Sequence, residues 1–235
     1  MSEPQAAPTI VVCKGVEKIY KQGKVEVPAL RGLDLEVHRG EFMALTGPSG
    51  SGKTTALNII GGLDTPTRGS VVVDGRDLSQ LGRGELSRMR RDKIGFVFQA
   101  YNLVPVLTAY ENAEMVLRLQ GVGKDERRAK VMKLLAEVGL EGLEHRRPTE
   151  LSGGQQQRVA IARAIAPGPV VTLADEPTAN VDSATAEMLL ALMERLNREH
   201  DVTFIFSTHD PRVMARARRV VRLVDGRVES DERKG

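Results

Sequence analysis

Eight consecutive residues, Gly47-Pro48-Ser49-Gly50-Ser51-Gly52-Lys53-Thr54, carry the densest chemistry in the chain. Glycines let successive backbone N–H groups turn inward onto an anion, and a helix N-terminus behind them adds positive potential. Lys53 reaches the β- and γ-oxygens of a polyphosphate and the Thr54 hydroxyl can ligate Mg²⁺, with Thr55 in the same nucleotide-contacting set. The flanks agree. A strand, FMALT, leads in, and a helical run, ALNII, leads out and stops at Gly61-Gly62. A plain glycine-rich strand-to-helix turn needs neither the lysine nor the hydroxyl, so the implied ligand is a nucleoside triphosphate with Mg²⁺.

Three further clusters suit the same ligand. Leu151-Ser152-Gly153-Gly154-Gln155 reads as a second phosphate nest, Ser152 capping a helix over Gln156–Ile165; ordinary capping is its plain alternative. Val170–Ala174 is a mostly apolar run ending in Asp175 and Glu176, which places both acids at the carboxyl end of a strand, where open α/β sheets bind ligands. There Asp175 would hold Mg²⁺ through its water shell. Glu176, pointing the other way by strand alternation, would orient or deprotonate an attacking water. His209 follows the strand Val202–Phe206 and can donate to a γ-phosphate oxygen, while Gln99 closes the strand Ile94–Phe98 and can reach the metal or its water. A solvated turn is the alternative for the acids, and Thr172 interrupts their apolar run.

The elements that must position these groups alternate along the chain. Strands are expected at Thr9–Cys13, Leu33–Val37, Glu41–Thr46, Val71–Val73 and Ile94–Phe98. Helical spacing takes over from Ala109 to Ile165, with Val131, Leu134, Leu135 and Val138 on one face and Gly139 as a stop. Strands return at Val170–Ala174 and Val202–Phe206 around a helix from Ser183 to Glu199, and Asp225-Gly226 turns a terminal hairpin. Continuously apolar strands between helices imply a parallel sheet covered on both faces. The 235 residues, 41% hydrophobic and 28% charged, suffice for a large core and exclude disordered and disulfide-framework classes. The longest apolar run, Met188–Met193, is six residues, far below the roughly 18 that span a bilayer. No secretory signal is visible in MSEPQAAPTI, Met1–Pro8 reads as a frayed leader, and the lone Cys13 allows no internal disulfide, which fits a reducing compartment. A net charge of +3 gives little support to nucleic-acid binding. The segment Arg212–Gly235 holds eight Lys/Arg against four Asp/Glu. It is either a solvated face or a contact for lipid headgroups or a partner.

In this order and spacing the motifs resemble the ATP-binding-cassette (ABC) ATPases, from about Ile10 to Val228. GPSGSGKT is similar to the family's Walker A, LSGGQQQRVAIARAI to its signature helix, TLADEP to its Walker B, FVFQ to its Q-loop, ANVD to its D-loop and STHD to its switch histidine. The resemblance implies an α/β fold: a RecA-like P-loop NTPase core (9–98 and 160–235), an antiparallel β subdomain and an inserted α-helical subdomain (99–159). It implies that Glu176, His209, Gln99 and Lys53 are catalytic and that Thr54, Gln99 and Asp175 serve Mg²⁺. Tyr20 would stack on adenine, a half-buried strand-end tyrosine being the alternative. ATP would contact Gly47, Pro48, Ser49, Gly50, Ser51, Gly52, Lys53, Thr54 and Thr55 of one chain. Ser152, Gly153, Gly154, Gln155 and Asp182 would close on it from a second copy, head to tail. The partners implied are that second copy and integral membrane permease subunits on separate chains, with no nucleic acid, at the cytoplasmic face of the inner membrane. PALRGLDLEV, LNIIGGLDTPTRGSVVVDG and IGFVFQAYNLVPVLTAYENAEM look like the lipoprotein-releasing (LolD-like) and macrolide-exporting (MacB-like) subgroup. Ala179 and Pro167-Gly168-Pro169 depart mildly from the family pattern. The contact with the permease is expected at Tyr101, Leu103, Val104 and Val106, against local packing as the alternative. Rival functions are a soluble ABC ATPase acting on nucleic acid or ribosomes, and a small-metabolite kinase.

Overall fold

Among the described residues, 7–23 and 25–234 of a computed structural model, ten strands sort into two sheets. β1 (Thr9–Gln22), β2 (Val25–His38), β4 (Arg68–Val73) and β5 (Arg76–Asp77) form an antiparallel sheet in the order β2-β1-β4-β5. β3 (Phe42–Thr46), β6 (Ile94–Val97), β7 (Val171–Asp175), β8 (Phe204–Ser207), β9 (Arg219–Val224) and β10 (Arg227–Arg233) form the other, ordered β10-β9-β3-β8-β7-β6. In that sheet only β10 is antiparallel to its neighbour. The helices are α1 (Lys53–Ile60), α2 (Arg83–Lys93), α3 (Ala109–Leu119), α4 (Lys124–Glu137), α5 (Gly153–Ile165), α6 (Ser183–His200) and α7 (Pro211–Arg216).

Strand alternation divides the core. Phe42 and Ala44 of β3, Phe204 and Phe206 of β8 and Ala174 of β7 face one way, into a cluster with α3 to α6. Met43, Leu45, Ile205, Val171 and Leu173 face the other way, against α1 and the antiparallel sheet. Three phenylalanines, Phe42, Phe204 and Phe206, meet with ring centroids 4.7–5.7 Å apart, and burying each stabilises by about 1.5–3 kcal/mol. Thr172 does not break β7. Its β-branched side chain is fully buried and the hydroxyl finds no partner. The Cys13 thiol is buried on β1, and burial, then Asp34, pushes its pKa up to about 12, so it is no nucleophile near neutral pH.

Several elements differ from the sequence reading. The strands expected at Thr9–Cys13 and Leu33–Val37 are parts of two 14-residue strands whose outer halves pair from Glu17–Arg31 to Gln22–Val25. Along the outer half of β2 the apolar Val25 and Val27 are exposed and Pro28 interrupts the pattern, while Leu30 alone is buried, so no apolar alternation marked it. Helix α2 was not anticipated, because RGELSRMRRDK buries only Met89. Helix α5 starts at Gly153 rather than Gln156. Most of the expected leader lies outside the described residues; Pro8 accepts a hydrogen bond from the Arg39 N–H. The basic end is largely self-neutralised, which supports the solvated-face reading. Arg212 pairs with Asp210, Arg216 with Glu187 and Glu194, Arg219 with Glu41 and Asp231, Arg222 with Glu229 and Arg233 with Glu41.

Candidate active site

Four neighbouring parallel strands release their functional residues at one end of the sheet. Leu45 of β3, Ser207 of β8 and Asp175 of β7 lie in register, so the loops that follow start at one level. After β3 the chain passes Gly47 (φ 140°) and Gly52 (φ 101°), both in the region that favours glycine. A Cβ would sit 2.0 Å from the Leu223 carbonyl oxygen at Gly47 and 2.5 Å from that of Ala29 at Gly52. The loop is therefore held open by close backbone approaches that no side chain would permit. Lys53, 9% exposed, donates to the carbonyls of Gly47 (2.8 Å) and Pro48 (3.0 Å). A cavity of about 640 Å³ lies above, lined by Gly47 to Thr55 together with Ala29, Gln99, Glu176, Ala179 and His209.

The donor set fits a polyphosphate and a hard cation. The Thr54 hydroxyl, which belongs to the cavity lining, donates to Asp175 Oδ1 at 3.2 Å, so one hydroxyl and one carboxylate meet beside the cavity. Among the described residues no three His, Cys, Asp or Glu side chains form a metal cage. Mg²⁺ is commonly held by one or two carboxylates, with phosphate oxygens and water completing its shell. Within the loop the Ser51 hydroxyl is buried without a partner.

Glu176 is presented differently from the expectation. β7 ends at Asp175, and Glu176 takes a left-handed conformation, φ 46°, with its N–H bonded to the Ser207 carbonyl at 2.9 Å. A backbone reversal, not strand alternation, turns its side chain. Such a conformation costs a non-glycine residue about 1–2 kcal/mol. Its carboxylate is gripped at both oxygens: His209 Nδ1 lies 2.6 Å from Oε1, and the Thr208 hydroxyl donates to Oε2 at 3.1 Å. Since a carboxylate only accepts, an imidazole protonated on Nδ1 makes this contact. Gln99 is exposed at the rim, its carbonyl accepting from Asn180 Nδ2 at 3.0 Å.

The second nest stands apart. Ser152, Gly153, Gly154, Gln155 and Asp182 do not line the cavity. Ser152 caps α5, its Oγ accepting from the Gln155 N–H (3.3 Å) while Gln155 Oε1 accepts from the Ser152 N–H (2.8 Å). Asp182 caps α6, and hydrogen bonds from Thr185 hold its carboxyl below the usual range. Both glycines also permit contacts within the chain. A Cβ at Gly153 would lie 2.9 Å from the Tyr101 hydroxyl, and one at Gly154 would lie 2.4 Å from Thr185 Cγ2. Tyr20 is 37% exposed on β1; its hydroxyl donates to Asp64 at 2.8 Å and Lys18 Nζ stands 4.9 Å from its ring centroid. Tyr20 does not line the cavity.

Sequence reasoning missed the supports. Thr208 holds Glu176, and Thr178, buried just beyond Pro177, donates to Asp210 at 2.9 Å. Asp210 is also bound by Arg212, which keeps its carboxyl below the usual range. Asp210-Pro211, an N-cap followed by proline, was a readable helix start. Asn180, between Ala179 and the cap Asp182, carried no such signal.

In the loop after Gln99 the structure shows local packing for Leu103 and Val104 and exposure for Val106. Buried Asn112 accepts from the Val104 N–H and donates to the Val104, Leu107 and Thr108 carbonyls, and Leu103 packs against the core. Val106, by contrast, is 70% exposed. Leu103→Asp should therefore lower the melting temperature of the protein, whereas Val106→Asp should leave it unchanged while weakening co-purification with any membrane subunit docked there. Undiminished co-purification of Val106→Asp would remove this loop from the contact.

Phosphate loop, carboxylate pair and histidine at adjacent strand ends define a P-loop nucleoside triphosphatase. More narrowly, the chain belongs to the ABC transporter family, whose model matches residues 30–179. It is 49% identical over 232 residues to the lipoprotein-releasing system ATP-binding protein LolD of Anaeromyxobacter dehalogenans, covering 98% of this chain and 97% of that one. It is 46% identical over 226 residues to the macrolide export ATP-binding/permease protein MacB 1/2 of Paracoccus denitrificans, covering 96% of this chain but 34% of that one. A solved ATP-binding cassette of Methanocaldococcus jannaschii, a dimer in a post-hydrolysis state bound to ADP and Pi, superposes with a TM-score of 0.88 at 46% identity, covering 95% of this chain and 98% of that one. Among the described residues no helix is long and apolar enough to cross a membrane.

Proposed function

We propose that this chain binds ATP with Mg²⁺, hydrolyses it, and in doing so drives integral membrane permease subunits of the lipoprotein-release or macrolide-export type from the cytoplasmic face of the cell membrane. The observation that carries the reading is the convergence, on one cavity, of the Lys53 loop, the Thr54–Asp175 pair and the Glu176–His209 pair. Lys53 draws the β/γ-phosphate charge into the loop, and Thr54 and Asp175 hold the metal side. Bound Mg²⁺ supplies neutralisation of the charge shared between β- and γ-oxygens. Glu176 orients the attacking water and accepts its proton, while His209, anchored through Nδ1, keeps the carboxylate aimed at that water. Gln99 reaches the same space from the rim.

Two copies act together, each nucleotide lying between one chain's Gly47–Thr55 loop and the other's Ser152–Gln155 nest. The separation of the two nests within one chain supports this, as does the dimeric state of the related cassette. Incubation with Mg²⁺ and ATP should yield free phosphate and ADP, with hydrolysis lost on chelation and no phosphorylated acceptor formed. Phosphate appearing on a small metabolite would instead support the kinase reading. No observation favours action on nucleic acid or ribosomes.

A further inference from the structure

One glutamine on α5 is spent on a contact that no motif announces. Gln157 is fully buried, and its Nε2 donates to the Pro177 carbonyl oxygen at 2.7 Å. A carbonyl oxygen can only accept, so the contact fixes which end of the amide faces it. The other end, Oε1, is buried with no hydrogen-bond partner. An orphaned acceptor in the interior costs stability, which an apolar side chain of the same length would avoid. The amide is therefore kept at a cost at Oε1, and what its other end holds is the Pro177–Thr178 peptide, one residue beyond Glu176.

That peptide needs holding. Glu176 sits in a left-handed bend, and beyond it Pro177 has no N–H with which to anchor itself. Gln157 ties the Pro177 carbonyl, and Asp210 ties the Thr178 hydroxyl one residue further on. Gln157 also lies about one turn into the helix whose N-terminus is the Ser152–Gln155 nest.

We propose that Gln157 is a positioning residue for Glu176: it locks the bend that carries the carboxylate and couples it to the helix that carries the second nest. The proposal rests on the reading of Glu176 given above. In the paired arrangement a chain's nest serves its partner's nucleotide while its Glu176 serves its own. The Gln157–Pro177 bond therefore links the two nucleotide sites of a dimer.

Gln157→Met tests this, because methionine matches the side chain in length and helix propensity and removes the amide without leaving an orphan on the side chain. The expected result is a folded protein with a modestly lowered melting temperature, because the Pro177 carbonyl loses its donor, and with ATP affinity and KM within about twofold. The turnover number should fall about 10- to 100-fold, the range for a displaced reacting group. Gln157→Asn, too short to reach Pro177, should show the same split between kcat and KM. Turnover unchanged in either folded variant would overturn the proposal. So would loss of folded protein in both, which would make the amide an ordinary stability contact. Glu176→Gln run alongside separates the two readings. If it hydrolyses ATP normally, the role of Glu176 fails first; if it is inactive while Gln157→Met is not impaired, only the positioning role fails.

Discussion

Glu176→Gln is expected to bind ATP as before and to lose about 10²- to 10⁴-fold in turnover, the usual contribution of a general base. The amide keeps the length and shape of the acid. Its oxygen can accept from Thr208 or His209 as the carboxylate does. Its NH₂ group can donate to whichever of the hydroxyl or the other imidazole tautomer is left. The left-handed bend depends on the backbone bond to Ser207 and does not involve the substituted atoms. ATP binding depends on the loop around Lys53, so only the step that needs a proton acceptor is removed. An ATP-bound dimer should accumulate, visible by gel filtration with excess nucleotide. Normal phosphate release at saturating ATP and Mg²⁺ would strip Glu176 of this role.

The second large effect separates sites formed within a chain from sites shared between chains. Lys53→Ala removes the charge that reaches the β/γ oxygens and should abolish hydrolysis through lost ATP affinity. A complementary lesion in the second nest must spare the chain that carries it. Gly154 is a poor choice, since any side chain there strikes Thr185 of the same chain. Ser152→Asp is better: the residue is exposed, and aspartate caps a helix as well as serine does. It sets a negative charge against the partner's γ-phosphate, where like charges repel strongly. Each variant alone has two defective sites. In a mixed pair one site combines both lesions, while the other joins an intact Lys53 to an intact Ser152. Mixing the two inactive proteins should restore single-turnover hydrolysis at up to one site per mixed dimer. Continued inactivity in mixed dimers verified by cross-linking would rule out sites shared head to tail.

The groups proposed to be catalytic were legible because each lies within a few residues of the end of a strand that its own apolar residues reveal. Lys53 follows FMALT, Glu176 follows VVTLA and His209 follows Val202–Phe206 within a few positions, so local pattern alone sets them at one sheet edge. The groups that hold them were not legible. Thr178 meets Asp210 from 32 residues away and Asn180 meets Gln99 from 81, and no periodicity records a pairing of that kind. Conformation was equally hidden at Glu176, where strand alternation would have served but a reversal is used. The outer halves of β1 and β2 and the arginine-rich α2 escaped for a simpler reason: they bury too few residues for hydrophobic spacing to mark them.

The two ends of the six-stranded sheet restrict how copies of this chain can meet. A free edge strand is a template for another strand, and proteins guard against it with short strands or charged ones. β6, at one end, is four residues long. β10, at the other, is turned antiparallel and reads RVESDER, with Arg222 and Glu229 paired across it. Neither edge offers the long, flat, apolar row that would recruit a second sheet. Association by sheet extension is thereby discouraged at both margins. In the paired arrangement proposed above, two copies meet instead at the loop-bearing end, and joining them there would trap nucleotide.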